Sequence, residues 1–162
     1  MPIQRFSVGA DAGIQIPLGE FADSAGIGLS GTLQAEYILT PTLLLSARAG
    51  FIYHIEKHNV QFDQIPMLGG VKYSFDDSFP FYLTVEAGYF IVEKQLPNPG
   101  LLVYDASENF GMNQYNRFGG ILGVGHPFGD FEVGMNLSFW DILHINQRMG
   151  IGITVGFNPP TL

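Results

Sequence analysis

The stretch "RMGIGITVGF", Arg148 to Phe157, alternates almost without fault. Met149, Ile151, Ile153, Val155 and Phe157 fall on one side, and Arg148, Gly150, Gly152, Thr154 and Gly156 on the other. Side chains of an extended strand point alternately to opposite faces, so this strand has one apolar face and one polar or nearly bare face. In a water-soluble sheet the apolar face would be the core and the other would meet solvent. A solvent face built of glycine is unusual, and deciding which side is the interior decides the fold.

The same period of two recurs along the whole chain, while helical spacing is hard to find. Eight segments are predicted as strands, at about 5–16, 27–39, 42–55, 64–75, 81–93, 114–126, 131–141 and 147–157. Most are longer than the usual strand of about 5–6 residues and match the roughly 9–11 tilted residues that cross a bilayer. Three connections are tight: "LTPT" at 39–42, "DDSFP" at 76–80 and "PFGD" at 127–130. Those between them are "PLGEFADSAG" at 17–26, "EKHNVQFD" at 56–63, "KQLPNPGLLVYDASENFGMN" at 94–113 and a shorter "LHIN" at 143–146. Tight turns at the end shared with the termini and mostly longer loops opposite make an up-and-down pattern.

Composition narrows the class. Charged residues are 14% of the 162, against about 25% in soluble domains. Glycine is abundant, with 21 residues, and the mean hydropathy is +0.19. No segment approaches the roughly 18 consecutive apolar residues of a membrane-spanning helix. The absence of cysteine excludes disulfides and thiolate metal sites. A net charge of −8 with seven Lys and Arg argues against nucleic-acid partners. Met1-Pro2 leads almost directly into a strand pattern, which is expected of a cytosolic protein or of a mature domain whose signal peptide has been removed.

Sorting the faces separates two kinds of surface. One carries Phe6, Val8 and Ile14, then Leu33 and Tyr37, Leu45 and Phe51, Val71 and Tyr73, Leu83 and Tyr89, Leu122, Val133 and Met135, without a single charge. The other carries one charge per strand: Asp11, Glu36, Arg48, Lys72, Glu86, Arg117, Glu132 and Arg148. Four acids and four bases make a neutral set. This suggests a closed interior, where an unpaired charge would cost several kcal/mol. Measured from the tight turns, Asp11, Glu36, Arg48, Lys72 and Glu86 are expected near mid-height, Arg117 and Arg148 towards the loops, and Glu132 towards the turns. Outside this set remain eleven acids and three bases, nearly all in loops, turns and strand ends.

Two closed barrels compete. A soluble ligand-binding barrel would turn the apolar face inward, overfilling an eight-stranded interior that side chains just fill, and would leave a nearly uncharged outer surface. A membrane barrel reverses the assignment: apolar residues face lipid, and glycines leave room for interior Arg and Lys. Aromatics near strand ends, Tyr73, Phe131 and Phe157 among them, suit interfacial girdles. Closure also leaves no open edge in lipid.

The stretches "FSVGADAGIQIPLGEFADSAGIGLSGTLQAEYIL", "IPMLGGVKYSF", "FYLTVEAGYFIV" and "MGIGITVGF" resemble the small eight-stranded outer-membrane β-barrels of Gram-negative bacteria, the OmpA, OmpX, OmpW and opacity-protein group. The likeness spans nearly the whole chain, through loose motifs. It implies a bacterial outer-membrane location, contact with outer-membrane lipids including lipopolysaccharide, and a final strand read by the assembly machinery through its terminal aromatic, here Phe157. In that group the aromatic is commonly the last residue. Here "NPPTL" follows, so 1–157 is expected to be the barrel and 158–162 a tail or the start of a linker.

The resemblance also raises catalysis, because some relatives act on lipid A. His54 and Glu56 share a face, and Ser46 lies further down the same segment, but no motif brings base and nucleophile together. His126 falls at the turn end, and His144 with Asp141 falls short of a metal site. The glycines of "LGG" and "FGGILGVG" lack the helix and Lys-Ser/Thr of a phosphate loop. Leu101, Leu102, Val103 and Tyr104 form an apolar patch in the longest loop and a candidate for recognition. The sequence is therefore expected to encode an all-β, eight-stranded antiparallel up-and-down transmembrane barrel. It is read as a monomer with a lumen filled by its own charges, without cofactor, metal or catalytic residues, serving envelope integrity, surface interaction or minor permeability. The alternatives are lateral uptake of small hydrophobic molecules, a lipid A-modifying enzyme and a soluble ligand-binding barrel.

Overall fold

The computed structural model describes residues 6–58, 60–75, 80–95, 113–144 and 148–158. Eight strands form one closed antiparallel barrel in chain order: β1 (Phe6–Leu18), β2 (Gly28–Thr40), β3 (Leu43–His54), β4 (Gln61–Ser74), β5 (Tyr82–Gln95), β6 (Asn113–Phe128), β7 (Phe131–Phe139) and β8 (Met149–Phe157). Closure is made by β1 against β8, with Ala10 opposite Phe157 and Leu18 opposite Met149. The expected number, order and pairing of strands are those observed.

Alternation now has a direction. Along β1 the residues Phe6, Val8, Ala10, Ala12, Ile14 and Ile16 are exposed, while Gly9, Asp11 and Gln15 are buried. On β8, Ile153, Val155 and Phe157 are exposed and Gly150, Gly152 and Gly156 buried. The glycine side of the opening stretch is the interior. Its bareness has a steric cause, since a Cβ on Gly152 would lie 2.6 Å from Asn136 Oδ1 of β7. A barrel this narrow can hold long polar side chains only if neighbouring positions carry none.

The tight end is made economically. Phe128 pairs with Phe131, and the two residues between them include Gly129 at φ +65°, the left-handed backbone a two-residue hairpin favours. At the opposite end the chain does more than the sequence suggests. After Gly19 (φ +58°) a one-turn helix, α1 (Phe21–Ser24), carries Phe21 inward. Main-chain bonds from Gly26 to Ile55 and from Ile55 to Ile27 tie this loop to the end of β3. Strand β7 stops at Phe139, two residues before the expected limit, and the chain then turns Trp140 and Asp141 into buried positions. The main-chain N–H groups of Trp140 and Ile142 donate to Arg148 and Phe118. The apolar patch Leu101, Leu102, Val103 and Tyr104 lies outside the described residues, as do 159–162 of the tail.

Candidate functional site

The interior is built from three zones. Nearest the tight turns, Lys72 Nζ lies 2.8 Å from Glu36 Oε1 and 2.7 Å from Glu132 Oε2, and 4.1 Å from the centre of the Tyr82 ring. Asn158, one residue beyond β8, donates to the other Glu36 oxygen at 2.9 Å. Above this, Arg48 meets Asp11 at 3.2 Å and Glu86 at 3.1 Å. The Glu86 contact lies off the N–H direction, so it gains charge attraction without a hydrogen bond. Thr32 completes the Asp11 carboxylate at 3.1 Å.

Gln34 joins the two clusters. Its side-chain oxygen accepts from Arg48 Nη2 at 3.0 Å, and its nitrogen donates to Glu132 at 3.1 Å and to Glu36 at 3.3 Å. Six charged residues and one amide thus form a continuous column. All but Arg48 are buried, and the Arg48 side chain is only 12% exposed. Every charge has an opposite partner, which is what a buried charge requires.

The upper interior is largely apolar, with Gln64 and His54 buried in it as well. Leu68, Phe90, Val92 and Ile121 point inward from β4, β5 and β6, and Phe21, Ala25 and Trp140 close over them. The Phe21 and Trp140 rings meet edge to face with centroids 4.3 Å apart. His54 is fully buried beneath them, 5.2 Å from Phe21 between ring centroids. Ser46 lies eight residues down the same strand, roughly 26 Å away along an extended chain. The structure therefore does not bring His54 and Ser46 together. Glu56, on the same strand face in sequence, is exposed beyond the strand end.

The third zone is the rim. Asp141 is buried and gathers Arg148 Nη1 at 2.9 Å, His144 Nδ1 at 3.2 Å and Arg117 Nε at 3.7 Å. Its second oxygen accepts the Leu143 main-chain N–H at 3.1 Å. The expectation of one balanced set of eight charges is corrected here. Arg117 and Arg148 serve a loop carboxylate, which leaves Asp11, Glu36, Glu86 and Glu132 to share Arg48 and Lys72. The mid-height placement of Glu36 and Lys72 is corrected too, because both sit with Glu132 near the turns. Counting residues from the turns ignores the slant of strands in a barrel, which carries facing side chains to different heights.

Sequence reasoning put Gln34 on the inner face and weighed Asp141 only as a metal ligand with His144, and it missed Phe21, Trp140 and the inward apolar residues. Phe90 and Val92 continue the face of Glu86, so extending the alternation beyond the polar residues would have found them.

Fold and interior together define a small, closed, up-and-down barrel with an uncharged outer belt and an inner column of paired charges. No family model matches the sequence, and no curated protein matches it. Among solved structures the chain is similar to Neisserial surface protein A (TM-score 0.57, 16% identity, covering 94% of this chain and 96% of that one). It is also similar to the Yersinia pestis outer membrane protein Ail in a phospholipid bilayer nanodisc (0.57, 8% identity, 94% and 98%). A third is the N-terminal β-barrel domain of Pseudomonas aeruginosa OprF (0.50, 14% identity, 94% and 96%). At these identities the likeness is one of fold, and it agrees with the eight-stranded group that the sequence resembles.

Proposed function

We propose that this chain is an integral barrel of a bacterial outer membrane, acting without catalysis, closed to solutes along its axis and working through its loop end. The observation that carries this reading is the reversal of polarity: paired charges inside, an uncharged apolar belt outside. On β5 the belt runs from Leu83 to Ile91, roughly 20 Å of height at the usual tilt, close to the apolar band of about 25 Å in such barrels. Aromatic contacts such as Phe131 with Phe157, centroids 5.3 Å apart, fall at the turn end, where one girdle belongs. The column and the apolar layer above it lie in series along the axis, which supports a lumen closed to solutes. Outer-leaflet lipopolysaccharide is then a neighbour of the wall, and β8 ending at Phe157 is the segment offered to the assembly machinery. The loop-end surface role is in keeping with a surface protein and an attachment invasion locus protein among the similar folds.

The test is fractionation with a gel. The protein should sediment with outer membranes, need detergent for extraction, and migrate differently boiled and unboiled. Buffer-soluble monomer would refute the reading. In planar bilayers the barrel should show very small or no conductance, and large steady openings would refute the closed interior. His54→Ala should leave lipid A acylation unchanged, and an altered pattern would point to the enzyme.

A further inference from the structure

We propose that the cleft at the loop-end mouth of the barrel is a binding site for a small amphipathic anion, an aromatic or alkyl body carrying one carboxylate, phosphate or sulfate. The cleft measures about 280 Å³. Its floor is aromatic, made by Phe21, Phe62 and Trp140, and its wall carries Lys94, Arg117 and Arg148. This places three of the chain's seven Lys and Arg around one opening, in a protein of net charge −8. Among the described residues two acids belong to the same place, Glu20 on the wall and Asp141 behind the arginines, so the described lining carries one net positive charge. An anion is the complement of that charge.

The site is built in advance. Trp140 is 2% exposed, and Phe21 meets it edge to face with Phe62 against its other neighbours, so the floor does not need to form around a ligand. Asp141 holds the two guanidiniums towards each other, and each guanidinium offers a fork of donors suited to a carboxylate or phosphate. An apolar body above the aromatic floor with its head on the cationic wall satisfies both halves at once, as ligand clefts with a few placed polar groups do. A cavity of about 150 Å³ accepts benzene, so this one suits a molecule of about a dozen heavy atoms. The inference rests on the barrel fold and its loop-end geometry, and not on the membrane reading, which fractionation tests separately.

Trp140 is the chain's single tryptophan, so its fluorescence reports the cleft directly. The refolded barrel in neutral detergent would be titrated with 4-phenylbutyrate, with 4-phenylbutanol and 4-phenylbutylamine as uncharged and cationic counterparts. The expected result is a saturable change with phenylbutyrate and at least tenfold weaker binding of the other two. Lys94→Gln should weaken phenylbutyrate by about tenfold, and Arg148→Gln by at least as much. Lys94 stands outside the Asp141 cluster, so its variant keeps the test valid if Arg148→Gln disturbs the rim, and unboiled gel mobility confirms folding. Equal binding of acid and alcohol would overturn the proposal as apolar partition. No saturable signal, or binding unchanged in both variants, would overturn it as well.

Discussion

Lys72 and Glu132 meet at 2.7 Å across the barrel interior, joining β4 to β7, strands that share no backbone bonds. Lys72 reaches β2 through Glu36 as well, and Arg48 on β3 reaches β1 and β5 through Asp11 and Glu86. Each cation is therefore a cross-brace between walls that the hydrogen-bond ladder connects only around the circumference.

The braces are unequal in what their loss leaves behind. Lys72→Met strands Glu36 and Glu132 together and should cost about 3–5 kcal/mol, the usual penalty for breaking a buried ion pair. Glu132→Gln leaves Lys72 on Glu36, in an interior where four carboxylates already outnumber two cations, and should cost clearly less. Urea unfolding followed by Trp140 fluorescence checks both. Equal losses would mean that the excess of acid has no energetic consequence.

Gln34 should behave as a coupler. Gln34→Leu removes bonds to Arg48, Glu132 and Glu36 and should destabilise by a few kcal/mol, since each is a hydrogen bond to a charged group. A double-mutant cycle between Arg48→Met and Lys72→Met should show a coupling above about 0.5 kcal/mol in the native background and less in the Gln34→Leu background. Coupling of the same size in both would show that the clusters communicate by another route.

Glycines on the two faces should answer differently to alanine. A Cβ on Gly156 would enter the space of Asp11 and lie 2.9 Å from Glu132 Cγ, so Gly156→Ala must displace part of the ion column. Gly31 faces outward with nothing within 4 Å of the added atom, and Gly31→Ala should be neutral or stabilising by up to about 1 kcal/mol. Thermal mobility shifts on unboiled gels compare the two, and a more harmful Gly31→Ala would contradict the assigned faces.

The outer belt gives the sharpest contrast between lipid and water. Ala87 is exposed at the centre of the β5 belt that runs from Leu83 to Ile91. Ala87→Arg should cost about 2–4 kcal/mol in a bilayer, whereas on a water-facing wall the same change would be nearly free. Folding yield into lipid vesicles reads the difference.

The sequence made some features legible and hid others for physical reasons. Period two survives any context, so the strands could be counted, and charges confined to one parity marked the inside. Yet Leu68, Phe90 and Ile121 share the parity of Lys72, Glu86 and Arg117, and treating apolar character as the mark of the outer face left them unassigned. Partners were harder still. That Lys72 binds Glu132 while Arg148 binds Asp141 depends on strand slant and on a loop turning inward at Trp140, and neither leaves a periodic trace. The one-turn helix that seats Phe21 is shorter than any helical pattern could register.

The seam between β1 and β8 gives the fold its order of events. Its partners, such as Ala10 and Phe157, stand at opposite ends of the chain, so this contact has the greatest loop entropy to overcome. Asn158, just past the seam, touches Glu36 only when the ring has closed. A sheet of eight strands with that seam open would leave Lys72 and Arg48 without their full set of partners. Closure is thus the step at which charges stop being a liability, which makes the half-zipped barrel the least tolerated species on the folding path.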